Sequence, residues 1–183
     1  MSYKWWISIA IGLFGVGFVF GLDTPTGMAG LAAEDMAALR ELGNFLASLP
    51  PPVTALFIFI KNVSVVVLSF VLSPILCLVP VLTLTLNGWL LSFISVAVIQ
   101  EESLGFVLAG LLPHGVFELP ALIIGQAAAL RFGIVIMLAV ISRERRNQLM
   151  PSVKKDLKYL IIALGLLLPA AIIETYITPL LLG

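Results

Sequence analysis

The sequence predicts an all-α fold, a polytopic membrane helix bundle of about five transmembrane helices, and three observations predict it. Hydrophobic residues fill 61% of the 183 positions and charged residues only 11%, with a mean hydropathy of +1.16. A soluble domain carries about 45–50% and roughly 25%. The apolar residues are gathered into runs close to the ~20 residues that cross a bilayer core at about 1.5 Å each. Only one long stretch, 23–52, is polar. No soluble fold of this length buries so much apolar surface, so the lipid bilayer is the first partner. Ten basic and ten acidic residues cancel, which leaves no field for a polyanion and excludes a nucleic-acid partner. Cys77 and His114 are each the sole residue of their type, which excludes disulfide frameworks and cysteine-rich zinc modules. No cofactor is expected.

The chain reads as a single membrane domain, 1–183, and each element follows from its pattern. Residues 5–22 are uncharged behind Lys4 and form the first span. The run is long for a signal peptide and no clear A-x-A cleavage site follows. Thr24-Pro25-Thr26-Gly27 reads as a turn. Over 31–49, Met36, Leu39, Leu42, Phe45, Leu46 and Leu49 recur mostly at three- and four-residue steps, opposite Glu34, Asp35, Arg40 and Glu41. That is the pattern of an amphipathic helix lying at the membrane surface, and Pro50-Pro51-Pro52 ends it. The second span is expected over 62–78, entered through apolar 53–60, with Lys61 as an interfacial anchor and Pro74 and Pro80 near its end. The third covers 81–99, with Asn87 and Gly88 in its interior, before Gln100-Glu101-Glu102 returns the chain to water. Residues 104–141 are almost continuously apolar. As one helix they would reach about 57 Å, far beyond a bilayer core, so a break is expected at Leu112-Pro113-His114-Gly115. Residues 104–112 then form a short re-entrant or interfacial helix, and the fourth span occupies 115–141. A basic loop at 142–158 precedes the fifth span at 159–182.

That loop holds Arg143, Arg145, Arg146, Lys154, Lys155 and Lys158. The positive-inside rule places it in the cytoplasm together with Lys4. Stretches 23–52 and 100–102 are acidic and suit the outside. Five spans with a cytoplasmic N terminus and an external C terminus satisfy all of these constraints.

Lys61, His114, Glu118, Arg131 and Glu174 interrupt apolar segments, and an ionised group near the bilayer centre costs a few kcal/mol even on lenient scales. The topology puts His114, Glu118, Glu174 and Asn62 at similar depth in the outer half, so these four are expected to meet as one polar intramembrane cluster. His114 and Glu118 share a helix face at four-residue spacing. Gly125, Ala129 and Gly133 continue close to that face as a stripe of small residues, and Ala170, Glu174 and Thr178 form a similar stripe on the fifth span. Such stripes let helices approach closely, so the two are expected to dock. Each feature also has a plain structural origin: helix packing for the stripes, a capping hydrogen bond for His114, protonated structural glue for Glu174. Arg131 is expected to snorkel towards the cytoplasm, and Cys77 to sit in the core.

The segment Leu112-Pro113-His114-Gly115-Val116-Phe117-Glu118-Leu119-Pro120-Ala121, followed by Ala127-Ala128-Ala129-Leu130-Arg131-Phe132-Gly133, strongly resembles the stage II sporulation protein M family. Asn62 in a K-N-x-S context, Asn87-Gly88, and Ile173-Glu174-Thr175-Tyr176-Ile177-Thr178-Pro179 resemble further family landmarks. Together these cover roughly 55–180. The sequence departs from the family pattern at Ala129, where a glycine is common. The resemblance implies an integral membrane protein of about five helices. In endospore formers it implies the membrane anchor of a complex with two peptidoglycan-degrading partners. No hydrolase, ATPase or nucleotide motif accompanies it.

Three functions follow as expectations. A membrane scaffold or anchor, organising membrane or extracytoplasmic protein partners and forming a homo-oligomer, leads. A transport or proton-relay component using His114, Glu118 and Glu174 is the alternative. An intramembrane metalloenzyme with those three residues as ligands stands third, weakened by the absence of a second histidine nearby.

Overall fold

A computed structural model describes residues 2–23, 41, 45 and 48–182. The amphipathic helix expected over 31–49 falls, apart from isolated positions, outside the described residues. The described chain is all-α: α1 (Tyr3–Leu22), α2 (Pro51–Leu72), α3 (Leu78–Glu101), α4 (Leu104–Ile141), a 3-10 turn (Arg143–Gln148), α5 (Leu149–Tyr176) and the short α6 (Thr178–Leu182). The five long helices are each apolar enough to cross a membrane. The chain is a multi-pass membrane protein.

Several boundaries differ from the sequence reading, each for a local reason. The second helix starts at Pro51, not near 62. Prolines at its first two positions forgo an N–H that a helix start leaves unpaired anyway, and the Pro50 carbonyl accepts from Val53 and Thr54 at 2.8 and 3.1 Å. Lys61 and Asn62 therefore lie mid-helix, Lys61 exposed and Asn62 buried. The helix ends at Leu72, and Pro74 sits in the turn to α3, where Leu76 and Cys77 adopt φ of 53° and 54°, a left-handed conformation that costs roughly 1–2 kcal/mol per residue.

The expected break at Pro113 does not occur. Helix α4 runs unbroken over 38 residues through Pro113 and Pro120, capped by the Ser103 hydroxyl accepting from the Phe106 N–H at 3.2 Å. A proline removes one donor and kinks a helix, but in lipid every remaining backbone group still needs an internal partner, and helical bonding supplies it. The separate re-entrant helix of 104–112 is the first part of α4. The basic loop of 142–158 is shorter than expected, because α5 begins at Leu149 and carries Lys154, Lys155 and Lys158 on its exposed first turns. At its far end the fifth span divides at Ile177, and Pro179, which has no N–H to bond the carbonyl four residues back, takes the second position of α6, where a helix start leaves that donor unpaired anyway.

Side-chain pairs fix the directions of the helices. Asn62 meets Glu118 and Ser69 meets Gln126, so α2 and α4 run parallel. Arg131 meets Asp156 and His114 meets Thr178, so α5 returns antiparallel to α4. In α4, 44% of the most apolar stretch is buried against 17% in α1 and in α3, which makes α4 the central strut.

Small residues set the closest approaches. A Cβ at Gly17 or Gly21 of α1 would strike the Thr85 or Trp89 backbone of α3, and one at Gly88 would strike Phe14 and Phe18. On α4, a Cβ at Gly125 would lie 2.6 Å from Val66 and 3.3 Å from Ala163, and one at Gly133 would strike the Ser73 carbonyl and lie 2.7 Å from the Cys77 sulfur. The Gly125–Ala129–Gly133 stripe thus packs largely on α2 and the turn after it. It does not dock on Ala170, Glu174 and Thr178, because the antiparallel register sets Gly125 opposite Ala163 on α5. Ala129 is fully buried.

Candidate functional site

Unbroken helix through Pro113 puts His114 and Glu118 one turn apart on the same face of α4. Helix α2 delivers Asn62 from the side, the last turn of α5 delivers Glu174, and α6 opens with Thr178. The Asn62 amide donates to Glu118 Oε1 at 3.1 Å, while Glu118 Oε2 lies 3.8 Å from His114 Nε2. The other imidazole nitrogen, Nδ1, is 3.4 Å from the Thr178 hydroxyl, which donates to the Ile173 carbonyl at 3.3 Å. One ligand-type atom from each of His114, Glu118 and Glu174 falls within 4.8 Å of the other two. The structure therefore brings together all four residues of the expected cluster.

Three of the four, His114, Glu118 and Glu174, line a cavity of about 470 Å³ between α1, α3, α4 and α5, with Phe14, Ser95 and Gly110 among its other lining residues. A second, smaller cavity of about 50 Å³ lies beyond it and contains Lys61 and Asn62. Glu118, Asn87 and Leu122 line both. Glu118 therefore stands between the two spaces. Its side chain is 30% exposed and that of His114 12%, values that fit an open wall better than a sealed core.

The remaining expected residues divide by role. Asn87 reaches the cavity wall while its amide donates to the Thr83 carbonyl of its own helix at 2.7 Å. Gly115 is buried and lines the cavity one turn from Leu111. Pro113 shapes α4 ahead of the cluster, and Pro179 is exposed. Gly88, Gly125, Ala129 and Gly133 serve packing elsewhere.

Two polar contacts were not anticipated. Arg131 donates to Asp156 Oδ1 and, at 3.3 Å, to the Ser152 carbonyl. It is bound to α5 and does not snorkel freely. Asp156 is fully buried, and nearby Tyr3 stacks on Tyr159 with ring centroids 3.4 Å apart. Assigning Asp156 to a loop hid this pair. Ser69 donates to Gln126, both completely buried. Here a signal existed, since an amide inside an uncharged apolar run is costly in lipid unless partnered.

Residues 9–179 match the family model described as stage II sporulation protein M. The chain belongs to this family. Two relatives, both from Methanocaldococcus jannaschii, are named Uncharacterized protein MJ0793 and Uncharacterized protein MJ0706. The first is 26% identical over 174 residues, covering 94% of this chain and 93% of the relative. The second is 29% identical over 125 residues, covering 67% and 55%. The match to the family model includes all of Asn62, His114, Glu118 and Glu174, so the cluster lies wholly inside the family domain. No solved structure matches.

Proposed function

We propose that this family member is a cation-handling membrane component, a transporter or relay, whose working part is the cavity wall formed by His114, Glu118 and Glu174, with Asn62 holding Glu118 from behind. One observation carries the reading: three ionisable side chains converge within 4.8 Å on the wall of a 470 Å³ cavity in a membrane bundle. Ionisable groups at that depth are tolerated where they pair or line a pathway, and such residues mark substrate and ion routes. The small cavity behind Glu118, with Lys61 on its wall, continues the polar route beyond the cluster. The test is flux into proteoliposomes carrying pH-sensitive and metal-sensitive dyes. Wild-type protein should dissipate an imposed cation gradient, and Glu118→Gln and Glu174→Gln should fall to the level of protein-free liposomes. Equal flux in wild type and both variants would overturn the reading.

The second reading is a membrane scaffold that forms homo-oligomers and organises membrane or extracytoplasmic partners. It draws on the family resemblance and on the shallow burial of α1 and α3, which leaves most of both helices to lipid or to partners. It requires partner recruitment to survive loss of the cluster.

The proposed orientation is cytoplasmic for the N terminus and external for the C terminus. It rests on the positive charge of Lys4 and of the α4–α5 connection, and it places the cluster in the outer half. With buried Cys77 replaced by alanine, Asn147→Cys should react with a membrane-impermeant thiol reagent only after the cells are permeabilised. Labelling of intact cells would reverse the topology.

A further inference from the structure

We infer, resting on the cation reading above, that the cluster is a binding site for one divalent transition-metal cation of the zinc type, held by His114 Nε2 and one carboxylate oxygen each from Glu118 and Glu174. The hydrogen bonds around the cluster point to it. The Thr178 hydroxyl has a single proton and directs it at the Ile173 carbonyl. With that proton so placed, it presents a lone pair to His114 Nδ1, 3.4 Å away, an arrangement that accommodates hydrogen on Nδ1 and a bare lone pair on Nε2. Asn62 donates to Glu118 Oε1 and leaves Oε2 turned towards that same Nε2, 3.8 Å away. Two electron-pair donors thus face each other. A proton on either group bridges such a pair, and so does a metal cation; the third donor converging on them, Glu174, is what favours the metal.

The spacing suits a small metal. Bonds of about 2.1 Å in a tetrahedron set ligand atoms roughly 3.4 Å apart, close to the 3.8 Å between His114 and Glu118. The third ligand atom lies within 4.8 Å and closes the remainder by a side-chain adjustment of about an ångström. The cavity leaves the fourth position to water or to a passing solute, the layout of an open rather than a purely structural site. Calcium takes six to eight oxygen ligands and magnesium an octahedron of oxygens, whereas an imidazole beside two carboxylates favours a borderline ion. Two carboxylates and a neutral imidazole also cancel the charge of a dication, which suits apolar surroundings. Asn62 and Thr178 are positioning residues that hold the ligands without touching the metal.

The test uses the full-length protein in nanodiscs, stripped with chelator and titrated with zinc against a chromophoric chelator, then with cobalt. The expected result is one zinc per chain, the visible absorption of four-coordinate cobalt, and no displacement by excess magnesium or calcium. Glu174→Gln and His114→Ala should abolish binding. Thr178→Val keeps all three ligands and should weaken zinc by about 10–100-fold, which keeps the test decisive if a ligand variant fails to fold. No stoichiometric zinc, or binding unchanged in Thr178→Val and Glu174→Gln, would overturn the inference. Proton flux without zinc binding would sink the metal site and leave the cation reading standing. Loss of both would sink both, and zinc binding without flux would support the site while removing the transport role.

Discussion

Replacing Asp156 by leucine is expected to be among the most damaging single changes in the bundle. It strands the Arg131 guanidinium, which donates to Asp156 and to the Ser152 carbonyl between α4 and α5. Removing one partner of a buried pair costs about 3–5 kcal/mol, a large share of the roughly 5–15 kcal/mol that holds a typical native state. The double variant Arg131→Met with Asp156→Leu removes both charges and should recover most of that loss, since an apolar pair of similar volume is often neutral or better. Thermal unfolding followed by size-exclusion chromatography in detergent measures both. A double variant no more stable than Asp156→Leu alone would show that the pair is not what joins these helices.

Gly133→Ala is expected to destabilise and Gly165→Ala to stabilise, although both add one methyl to a long helix. At Gly133 the new Cβ meets the Ser73 backbone carbonyl and lies 2.7 Å from the Cys77 sulfur. That neighbour is backbone held in the turn after α2, so the helices must separate, at about 1–3 kcal/mol. At Gly165 nothing lies within 4 Å, and the change gains up to about 1 kcal/mol of helix propensity. The two midpoints should move in opposite directions in the same unfolding assay. Movement of both upwards would mean that α4 does not press on that turn.

Much of this was legible in the sequence because the bilayer imposes simple rules. Runs near 20 apolar residues marked the five helices, and the cost of placing His114, Glu118 and Glu174 in lipid predicted that they would seek one another. The depth argument that added Asn62 needed only the helix order. Helix ends were less legible, because they depend on which backbone groups find partners. Pro50-Pro51-Pro52 reads equally as the end of one helix or the start of the next, and Pro113 reads as a break by the rules of helices in water, whereas in lipid no water satisfies the freed backbone groups and the helix persists. The docking of the small-residue stripe was missed because spacing defines a face without naming the helix that covers it. Asp156 was hidden by its basic neighbours Lys154, Lys155 and Lys158, which made a helix turn look like a solvated loop. The cavity has no sequence signature at all, since it is the space left between α1, α3, α4 and α5.

The most direct measurement of the central claim is anomalous diffraction at the zinc edge from crystals of the zinc-loaded protein grown in lipid. The account predicts a single peak on the cavity wall, about 2.0–2.2 Å from His114 Nε2 and from one oxygen each of Glu118 and Glu174, with Asn62 still bonded to Glu118. A map with no peak there, and with Glu174 turned towards lipid, would contradict it.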